Sequence, residues 1–435
     1  MKTFSKGIHP DDRKNATKDK PIKEAALPKK VILPLQQNLG CPNDSLVKVG
    51  DQVVEGQKIA DSEKFVSAPI HASISGKVTA IEKLPNPCDF DVPSIVIEAG
   101  EQKAIFSEQK IEHKHIENLN PAEIRKIVRE AGIVGLGGAA FPTHVKLSPP
   151  AEKKIDTIIV NGCECEPYIT ADHRLMLEKT ADILFGAKAI ARAAGASKVI
   201  VGIEANKKDA AEKMKNESRM KGILGIEVAL LKNKYPQGGE KMLVKALLNR
   251  EVPSGGLPMD VGVIVHNVGT CVAVAEAIKF NRPLVRRVVT VTGSGVVNPS
   301  NLMLRIGTTF EEAVKHCGGL TEDAAKIVMG GPLTGIAVAS LDLPVVKATT
   351  CILVLNKADA KVYEEVDCIR CGRCIKACPI NLLPNFIADY AKLKDWDRAE
   401  ELNVADCIEC GACAYVCPAR IFLVQYFKVA KNEQL

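Results

Sequence analysis

Residues 368–379 read CIRCGRCIKACP, and residues 407–418 read CIECGACAYVCP. Both stretches have the spacing C-x2-C-x2-C-x3-C-P, which accounts for eight of the fifteen cysteines in the chain. Three thiolates at this spacing can surround one face of an iron–sulfur cubane from a tight loop. Gly372 and Gly411 occupy the same place in the two runs, where the main chain must pass close to inorganic sulfur. The pattern predicts a C-terminal domain that holds two [4Fe–4S] clusters.

The spacing also predicts which thiolates share a cluster. In runs of this kind the fourth cysteine, which precedes a proline, ligates the other cluster. One predicted ligand set is Cys368, Cys371, Cys374 and Cys417, and the other is Cys407, Cys410, Cys413 and Cys378. The alternatives are structural zinc and unrelated thiols. Zinc usually takes four ligands in two pairs, so two runs of four with trailing prolines fit it poorly.

The remaining seven cysteines show no ligand spacing. They are Cys41, Cys88, Cys163, Cys165, Cys271, Cys317 and Cys351. We expect most of them to be small buried apolar residues, because a free cysteine behaves in this way when its thiol has no chemical task.

The composition predicts a globular protein of several domains. The chain has 435 residues, of which 46% are hydrophobic and 25% charged, and this length is too great for one core. Aromatic residues make up only 4% and the net charge is +6 without a dense basic block, which argues against nucleic-acid binding. No apolar run approaches the roughly 20 residues of a membrane span, and the polar residues 1–30 resemble neither a signal peptide nor an anchor. We therefore expect a cytoplasmic protein whose cysteines serve metal or redox chemistry rather than disulfides.

A glycine-rich stretch, GIVGLGGAAFPT at residues 132–143, is the best candidate for a flavin phosphate loop. A flavin is expected because iron–sulfur clusters take single electrons, whereas a nicotinamide donor gives a pair. The stretch mimics a dinucleotide fingerprint, but residues 121–131 before it predict a helix, with Asn120 as N-cap and Pro121 at the first position. A Rossmann site needs a strand there. The loop can still present main-chain N–H groups to a phosphate, or it can be an ordinary turn.

Three further polar segments follow predicted elements. Residues 154–160 predict a buried strand that ends in NGCECEPY, where ligands of parallel sheets usually bind, although its acidic residues also suit a solvated loop. The segment YPQGGE, residues 235–240, precedes a predicted helix at 241–248. The segment HNVGT, residues 266–270, follows a predicted strand at 261–265.

These four segments, in this order and before a cluster-bearing tail, resemble the flavin-carrying NADH-oxidising subunit of respiratory complex I. They resemble still more closely its relatives, the C subunits of the Rnf complex. The positions that match the family's FMN and NADH motifs are Gly135, Gly137, Gly138, Ala139, Phe141, Lys146, Asn161, Glu164, Glu166, Pro167, Tyr235, Gly238, Glu240, Asn267 and Thr270. The positions that depart from the complex I motifs are Leu136, Ala140, Cys163, Cys165, Gly239, His266 and Gly269. All the matching positions except Pro167 are our predicted cofactor contacts.

The resemblance covers nearly the whole chain and implies a multidomain α/β protein. An N-terminal lipoyl-like β-barrel hybrid at 1–115 precedes a central α/β FMN/NADH-binding domain at 116–285. A β-grasp, SLBB-like domain at 286–358 and a helical two-cluster ferredoxin domain at 359–435 follow. The pattern VKVGDQVVEGQ at residues 47–57 is typical of lipoyl-type hairpins. Lys64 could then be a carrier lysine, although an ordinary surface residue suits it better.

The resemblance implies a function and partners. NADH would dock over FMN, with Phe141, Glu166 and Glu240 on the nicotinamide side, and single electrons would leave through the two clusters. No side chain need act as acid or base, because hydride transfer depends on placement. The chain would be a peripheral subunit at the cytoplasmic face of an ion-translocating ferredoxin:NAD oxidoreductase. Its partners would be NADH, the other Rnf subunits and, through the complex, ferredoxin.

Two alternatives remain open. One is a soluble flavin and iron–sulfur reductase, such as the cobalamin reductase of propanediol-degrading compartments, and the other is a non-catalytic electron relay with a vestigial nucleotide pocket. The N-terminal position of the barrel hybrid favours the Rnf-type protein over the cobalamin reductase.

Overall fold

The computed structural model describes residues 1–87, 89–100, 116–220 and 225–433, and Cys88 lies outside them. Four structural regions follow one another: a β-hybrid, a parallel α/β unit, a mixed sheet with one helix, and a helical C-terminal unit. The fold class expected from the sequence is confirmed. In the described part of the chain no helix is long and apolar enough to cross a membrane.

The N-terminal domain consists of two small antiparallel sheets. Its strands are β2 (Lys30–Pro34), β3 (Asp44–Ser45), β4 (Gln52–Val53), β5 (Lys58–Asp61), β6 (Ile70–His71), β7 (Gly76–Asn86) and β8 (Asp89–Ala99). The sheet orders are β2-β8-β7-β4 and β3-β5-β6. Val31 and Leu33 stand opposite Ile97 and Ile95 across the β2–β8 pair, and all four are fully buried. This period-two alternation places one face of the sheet in the core.

Residues 1–20 lie against later parts of the chain. Lys2 forms a parallel bridge with Leu231, and Ile8 forms an antiparallel bridge with Tyr235. The strand β1 (Ile22–Glu24) then joins the sheet of the third domain. The beginning of the chain is therefore built into the central and third domains.

The central domain is a four-stranded parallel sheet flanked by helices. Its elements are α1 (Pro121–Glu130), α2 (Thr143–Lys146), β9 (Thr157–Gly162), α3 (Ala171–Glu178), α4 (Thr180–Ala194), β10 (Lys198–Glu204), α5 (Lys208–Met220), β11 (Ile226–Leu231), α6 (Glu240–Leu248), β12 (Val263–Asn267) and α7 (Val268–Phe280). The strand order is β11-β10-β9-β12. The inner strands are continuous apolar runs because helices cover both faces of the sheet.

The predicted elements of this domain are found with shifted ends. The helix α1 begins as expected, with Asn120 and Glu123 forming a capping box. The strand predicted at 154–160 is β9, which starts and ends two to three residues later. The strand predicted at 261–265 is β12, which begins only at Val263, because Pro258–Val261 form a 3-10 turn that Gly262 closes at φ +75°.

The third domain is a six-stranded mixed sheet with one helix. Its elements are β13 (Arg286–Thr292), β14 (Ser300–Arg305), α8 (Phe310–Lys315), β15 (Ala324–Met329), β16 (Ile336–Val338) and β17 (Cys351–Asn356). The strand order is β1-β14-β13-β17-β15-β16. Thr309 caps α8 by accepting a hydrogen bond from the Glu312 N–H, which accounts for the start of this helix.

The C-terminal domain is helical. Its helices are α9 (Arg373–Ala377), α10 (Pro384–Lys392), α11 (Trp396–Glu401), α12 (Ala412–Tyr415) and α13 (Leu423–Glu433). Each cysteine run leads into a short helix, α9 or α12, and then into a longer one, α10 or α13. The two longer helices pack together around the buried side chains of Ile387 and Phe427.

Candidate functional site

The four polar segments meet at the carboxyl edge of the parallel sheet. Asn161 at the end of β9 is in register with Asn267 at the end of β12. The Asn161 amide donates to the carbonyl of Gly238, 2.8 Å away, in the segment that follows β11. A Cβ placed on Gly137 of the glycine-rich stretch would lie 3.3 Å from the Cβ of Asn267. Parallel strands bring the segments after β9, β11 and β12 to one edge, and the glycine-rich stretch packs against Asn267 there. The space that these four segments border is called the cleft below.

The glycine loop, residues 132–142, is a closed turn. Val134 bridges Pro142, and the Gly135 N–H donates to the Phe141 carbonyl at 2.9 Å. Its tip from Gly137 to Ala139 is exposed. Gly138 has φ +144°, a conformation open to glycine, and Ala140 is held at φ +51°, at the position where the complex I motif has glycine. The glycine loop therefore contains one alanine, Ala140, in a left-handed backbone conformation that is strained for this residue.

The glycine loop is tied to the helix that follows β12. Thr270 Oγ1 accepts a hydrogen bond from the Leu136 N–H at 3.0 Å. The Asn267 side chain accepts from the Gly269 N–H at 2.7 Å and donates to Asp172 at 2.6 Å. Thr270 and Asn267, both predicted as cofactor contacts, thus have protein partners and support the glycine loop.

The acidic residues after β9 are buried rather than solvated. Glu164, at φ +47°, turns its carboxylate onto the start of α3 and accepts from the N–H groups of Asp172 and His173, at 2.6 and 3.3 Å. Glu166 accepts from the Thr334 hydroxyl (2.5 Å), and its carboxylate lies 3.2 Å from the Tyr235 hydroxyl oxygen. Burial raises the pKa of both carboxyl groups.

A lysine and a carboxylate stand on the open side of the cleft. Lys146, in the last turn of α2, forms an ion pair with Glu240 at the start of α6 and donates to the Val265 carbonyl at 3.3 Å. His266 is buried behind them, and burial together with the nearby Lys146 cation lowers its pKa to about 3. The imidazole is therefore neutral at ordinary pH, and Lys146 supplies the positive charge here.

The main chain of the cleft fits a flavin mononucleotide. Within the described ranges, the N–H groups of Gly137, Gly138 and Cys165 have no protein acceptor. Unpaired N–H groups in a glycine-rich turn, with a lysine beside them, are suitable partners for phosphate and flavin oxygens. The residues present are thus compatible with the group that the sequence motifs predict.

One predicted thiolate set lines an inner cavity. Cys378, Cys407, Cys410 and Cys413 surround it. The Leu382 N–H donates to Cys378 Sγ at 3.3 Å, and the Glu409 N–H donates to Cys407 Sγ at 3.4 Å. Such N–H···S bonds raise the reduction potential of a cluster.

The other predicted set lines an outer cavity. Cys368, Cys371, Cys374 and Cys417 surround it. Cys371 is exposed, and the exposed Arg370 and Arg373 also border the cavity. Gly372 and Gly411 begin the helices after the two loops at φ +70° and +75°, which explains the glycine in each run.

The thiol geometry differs from that of a mononuclear metal site. Among the described residues, no three His, Cys, Asp or Glu side chains come close enough to hold a single metal ion. Zinc binds thiolates at about 2.3 Å, so its four sulfurs must crowd together. The two predicted thiolate sets line separate cavities.

The inner cavity adjoins the cleft. The Tyr235 hydroxyl donates to the Cys410 carbonyl at 2.7 Å, and burial raises the pKa of Tyr235, which keeps it protonated. Ile8, Tyr235, Ala377 and Ala412 form an apolar cluster that Cys165 and Cys410 border. A tyrosine of the cleft and a cysteine run are therefore in direct contact.

Cys165 is the most notable of the remaining cysteines. Its Sγ accepts from the Gly238 N–H at 3.3 Å. The buried members of the group are Cys163, Cys271, Cys317 and Cys351, as expected, whereas Cys41 and Cys165 are half-buried. Lys64 is exposed, as an ordinary surface residue would be.

Sequence reasoning missed the basic residues behind the cleft, Lys14, Lys207, Arg287 and Lys347. Each is buried and donates to a main-chain carbonyl of the glycine loop or of the loop that follows β9. No local pattern marks them, because each partner is distant in sequence.

Comparison with known families divides the chain into four matched segments. Residues 2–102 match the RnfC barrel sandwich hybrid domain, and residues 128–276 match the Nuo51 FMN-binding domain. Residues 288–337 match the SLBB domain, and residues 360–418 match a 4Fe-4S dicluster domain. The order is the one expected from the sequence.

Full-length relatives are similar to this chain. The C subunit of the proton-translocating ferredoxin:NAD(+) oxidoreductase complex of Clostridium ljungdahlii is 47% identical, over 100% of this chain and 94% of the relative. The C subunit of the Na(+)-translocating complex of Acetobacterium woodii is 44% identical, over 99% of this chain and 97% of the relative. The C subunit of the ion-translocating oxidoreductase complex of Rhodobacter capsulatus is 42% identical, over 98% of this chain and 82% of the relative.

Among solved structures, the NAD+-reducing [NiFe]-hydrogenase in the H2-reduced state shares the fold. Its chain superposes with a TM-score of 0.51 at 19% identity, over 75% of this chain. The present chain spans 65% of that hydrogenase chain.

Proposed function

This chain belongs to the family of C subunits of ion-translocating ferredoxin:NAD(+) oxidoreductase complexes, and we propose that it transfers electrons between NAD(H) and the other subunits of such a complex. The contact between Tyr235 and the Cys410 carbonyl, 2.7 Å long, carries the proposal. It joins the nucleotide cleft to the inner cavity within one polypeptide. A flavin site and a cluster site that touch in this way are suited to dividing electron pairs into single electrons.

The cofactors would occupy the cleft and the two cavities. Bound FMN would exchange hydride with NAD(H), and two [4Fe–4S] clusters would carry the electrons singly. We assign the cluster ligands as two sets, Cys378, Cys407, Cys410 and Cys413 at the inner cavity and Cys368, Cys371, Cys374 and Cys417 at the outer cavity. The spacing rule for such runs and the separate cavities support the same division.

We assign the flavin to the cleft residues predicted from the sequence. Main-chain N–H groups of Gly137, Gly138 and Cys165 would hold its polar atoms. Lys146, which follows the glycine loop and is paired with Glu240, would offset the phosphate charge by turning from Glu240 toward the phosphate. The Glu164 carboxylate would act indirectly, by fixing the loop through its bonds to α3.

We assign the nicotinamide to the exposed side of the glycine loop, near Phe141 and Glu240. The half-buried Phe141 ring would exclude water from one side. Glu166 would keep the bottom of the cleft closed, because its carboxylate is bound to Tyr235 and to the Thr334 hydroxyl of the third domain. No side chain is assigned a proton-transfer role.

Electrons would enter at the inner cavity and leave at the outer cavity. The inner cavity is covered by the central and third domains: a Cβ on Gly411 would lie 2.7 Å from the Leu333 carbonyl. The outer cavity exposes Cys371 between Arg370 and Arg373. An exposed cluster edge gives a partner protein the close approach that electron transfer needs.

We also place the chain peripherally, at the cytoplasmic face of the membrane. The relatives are named as subunits of ion-translocating complexes, whose substrates NAD(+) and ferredoxin are water-soluble. Ion translocation itself would belong to other subunits.

An anaerobic NADH titration tests the proposal. The full chain, reconstituted with FMN, iron and sulfide, is titrated while optical and EPR spectra are recorded. We expect bleaching of the flavin absorbance followed by the signals of two clusters. A chain that holds iron but no flavin, or a flavin that NADH does not reduce, would contradict the proposal.

A further inference from the structure

Four buried cations lie behind the cleft. Lys14, Lys207, Arg287 and Lys347 expose between 1% and 6% of their surface. Three of them come from outside the central domain: Lys14 belongs to the N-terminal segment, and Arg287 and Lys347 belong to the third domain. A buried cation is costly unless it has well-placed partners, so each position needs an explanation.

Two of the cations hold the β9 loop, which comprises residues 163–170. The Lys14 ammonium donates to the carbonyls of Glu164 at 3.0 Å and Glu166 at 2.9 Å, and also to the carbonyl of Ile169. The Lys207 ammonium donates to the carbonyl of Cys163 at 2.6 Å. Four carbonyl groups of one short loop are thus turned away from the cleft.

The other two cations hold the glycine loop. The Lys347 ammonium donates to the Gly132 carbonyl at 2.7 Å, and the Arg287 guanidinium donates to the Leu136 carbonyl at 3.2 Å. Arg287 also donates to the carbonyl of Lys347, which links the two cations. The third domain therefore fixes the glycine loop at its first residue and at the residue before its tip.

The direction of these carbonyls decides the direction of the next N–H groups. In a trans peptide the C=O and the following N–H point in opposite directions. Holding the Leu136 carbonyl at the back therefore turns the Gly137 N–H to the front, and holding the Glu164 carbonyl does the same for Cys165. Both N–H groups lack a protein acceptor within the described residues. Arg287 and Lys14 thus each aim one N–H donor into the cleft, whereas the N–H that follows the Lys347-bound carbonyl, that of Ile133, donates to Val128.

Carboxylates balance much of the buried charge. Glu164 lies 3.9 Å from the Lys14 ammonium, and Glu204 lies 3.3 Å from that of Lys207. Asp172 attracts Arg287 from a greater distance. Because carboxylates offset much of their charge, the four basic side chains serve to orient main-chain carbonyls more than to add net positive charge.

We propose, building on the flavin function proposed above, that Lys14 and Arg287 are positioning residues of the flavin site, while Lys207 and Lys347 fix the starts of the same two loops. The N-terminal segment and the third domain are then parts of that site. The course of residues 1–20 fits this role. The Tyr168 N–H donates to the Asp12 carbonyl at 2.8 Å, and the Thr170 and Thr17 hydroxyls lie 2.7 Å apart, so the segment is fastened on both sides of Lys14.

Equilibrium FMN binding to the flavin-stripped full chain tests the proposal. Lys14→Met removes the three hydrogen bonds to the β9 loop at similar side-chain length. We expect the Kd for FMN, from quenching of FMN fluorescence, to rise at least about tenfold, since a lost hydrogen bond to a charged group typically has that effect. Lys14→Arg, which restores a donating cation, should recover part of the affinity. The midpoint potential of the bound flavin should shift as well.

Lys20→Met is the matched control. Lys20 belongs to the same segment, is exposed, and donates to the Pro299 carbonyl at 2.7 Å, away from both loops. Its removal should leave the Kd unchanged. A role in folding alone would lower the yield of folded protein without changing the Kd of the folded fraction.

The outcomes separate two failures. If the unsubstituted chain does not bind FMN, the proposed function is contradicted. If it binds FMN and Lys14→Met binds equally well, the positioning role is contradicted. Should Lys14→Met fail to fold, Arg287→Lys decides, because it retains the charge but is too short to span both carbonyls. Unchanged FMN affinity in Arg287→Lys would then overturn the inference.

Discussion

The inner and outer cavities are built from the same cysteine spacing but lie in different surroundings. The inner cavity touches the cleft through Tyr235 and the third domain through Leu333. The outer cavity exposes Cys371 and is bordered by two arginines. The spacing therefore determines which thiols meet, whereas the packing of the other domains determines what each cavity can exchange electrons with. Under the proposed function, the two similar runs would serve as an inlet and an outlet for electrons.

Removing one ligand from each cavity should produce the largest contrast. Cys410→Ala should abolish the reduction of both clusters by NADH while the flavin is still reduced, because the inlet is lost. Cys371→Ala should remove about half of the cluster iron and leave the inner cluster reducible. Iron analysis and EPR after anaerobic NADH addition measure both effects.

Thermal unfolding of the two cysteine variants serves as the control for folding. If NADH reduces the remaining cluster in both variants, or in neither of them, the two cavities do not differ in role.

Reversing the charge of the two arginines at the outer cavity should affect only the transfer of electrons from this cavity to an external acceptor. Arg370→Glu combined with Arg373→Glu should slow electron transfer to an anionic acceptor such as ferricyanide by about tenfold at low salt, and less at high salt. Reduction of the flavin and clusters by NADH should be unchanged. Stopped-flow absorbance measures both rates.

Lys428→Glu is the control for the arginine substitutions. Lys428 is an exposed lysine of the same domain, and its ammonium lies 3.7 Å from Glu409. A similar loss of rate in this control would assign the effect to net charge and not to the outer cavity.

Acid should weaken the cleft. Burial lowers the pKa of His266 from 6.5 to about 3, so the unfolded chain binds a proton that the folded chain does not. The His266 contribution to stability is therefore lost as the pH falls below 6.5, by about 2 kcal/mol at pH 5, and His71, whose pKa burial also lowers to about 3, adds a loss of the same sign. His266→Gln should flatten this dependence, as measured by urea unfolding with FMN release as the signal. An unchanged pH profile would show that His266 is not buried as a neutral group.

The smallest effect is expected at the contact between the Tyr235 hydroxyl and the Cys410 carbonyl. Tyr235→Phe removes the hydroxyl donor and leaves the Cys410 carbonyl without it, which should cost about 1 kcal/mol of stability. It should also slow the reduction of the inner cluster relative to the flavin by a few-fold. Stopped-flow mixing with NADH measures the two phases. An unchanged ratio of the phases would mean that the contact is not on the electron path.

Local chemistry made the elements and the thiol sets predictable. The capping box of Asn120 and Glu123 marked the start of α1, and the cysteine spacing gave two sets that line two cavities. The start of β12 was missed because the turn that ends at Gly262 consumes residues of an apolar run.

The arrangement of the cleft could not be predicted, because it depends on contacts between distant residues. Lys14 binds a loop about 150 residues away, and Tyr235 meets Cys410 175 residues further along the chain. Glu164 was expected at the cofactor, yet its left-handed backbone turns the carboxylate toward α3. Sequence motifs predicted a cofactor loop but could not predict the direction of its side chains.

Freeze-quench EPR after rapid mixing with NADH tests the order of the two cavities most directly. The spectra of Cys371→Ala assign the inner signal, and subtraction from the unsubstituted chain assigns the outer one. We predict that the inner signal appears first and that the outer signal rises as electrons move outward. An outer signal that precedes the inner one would contradict the account.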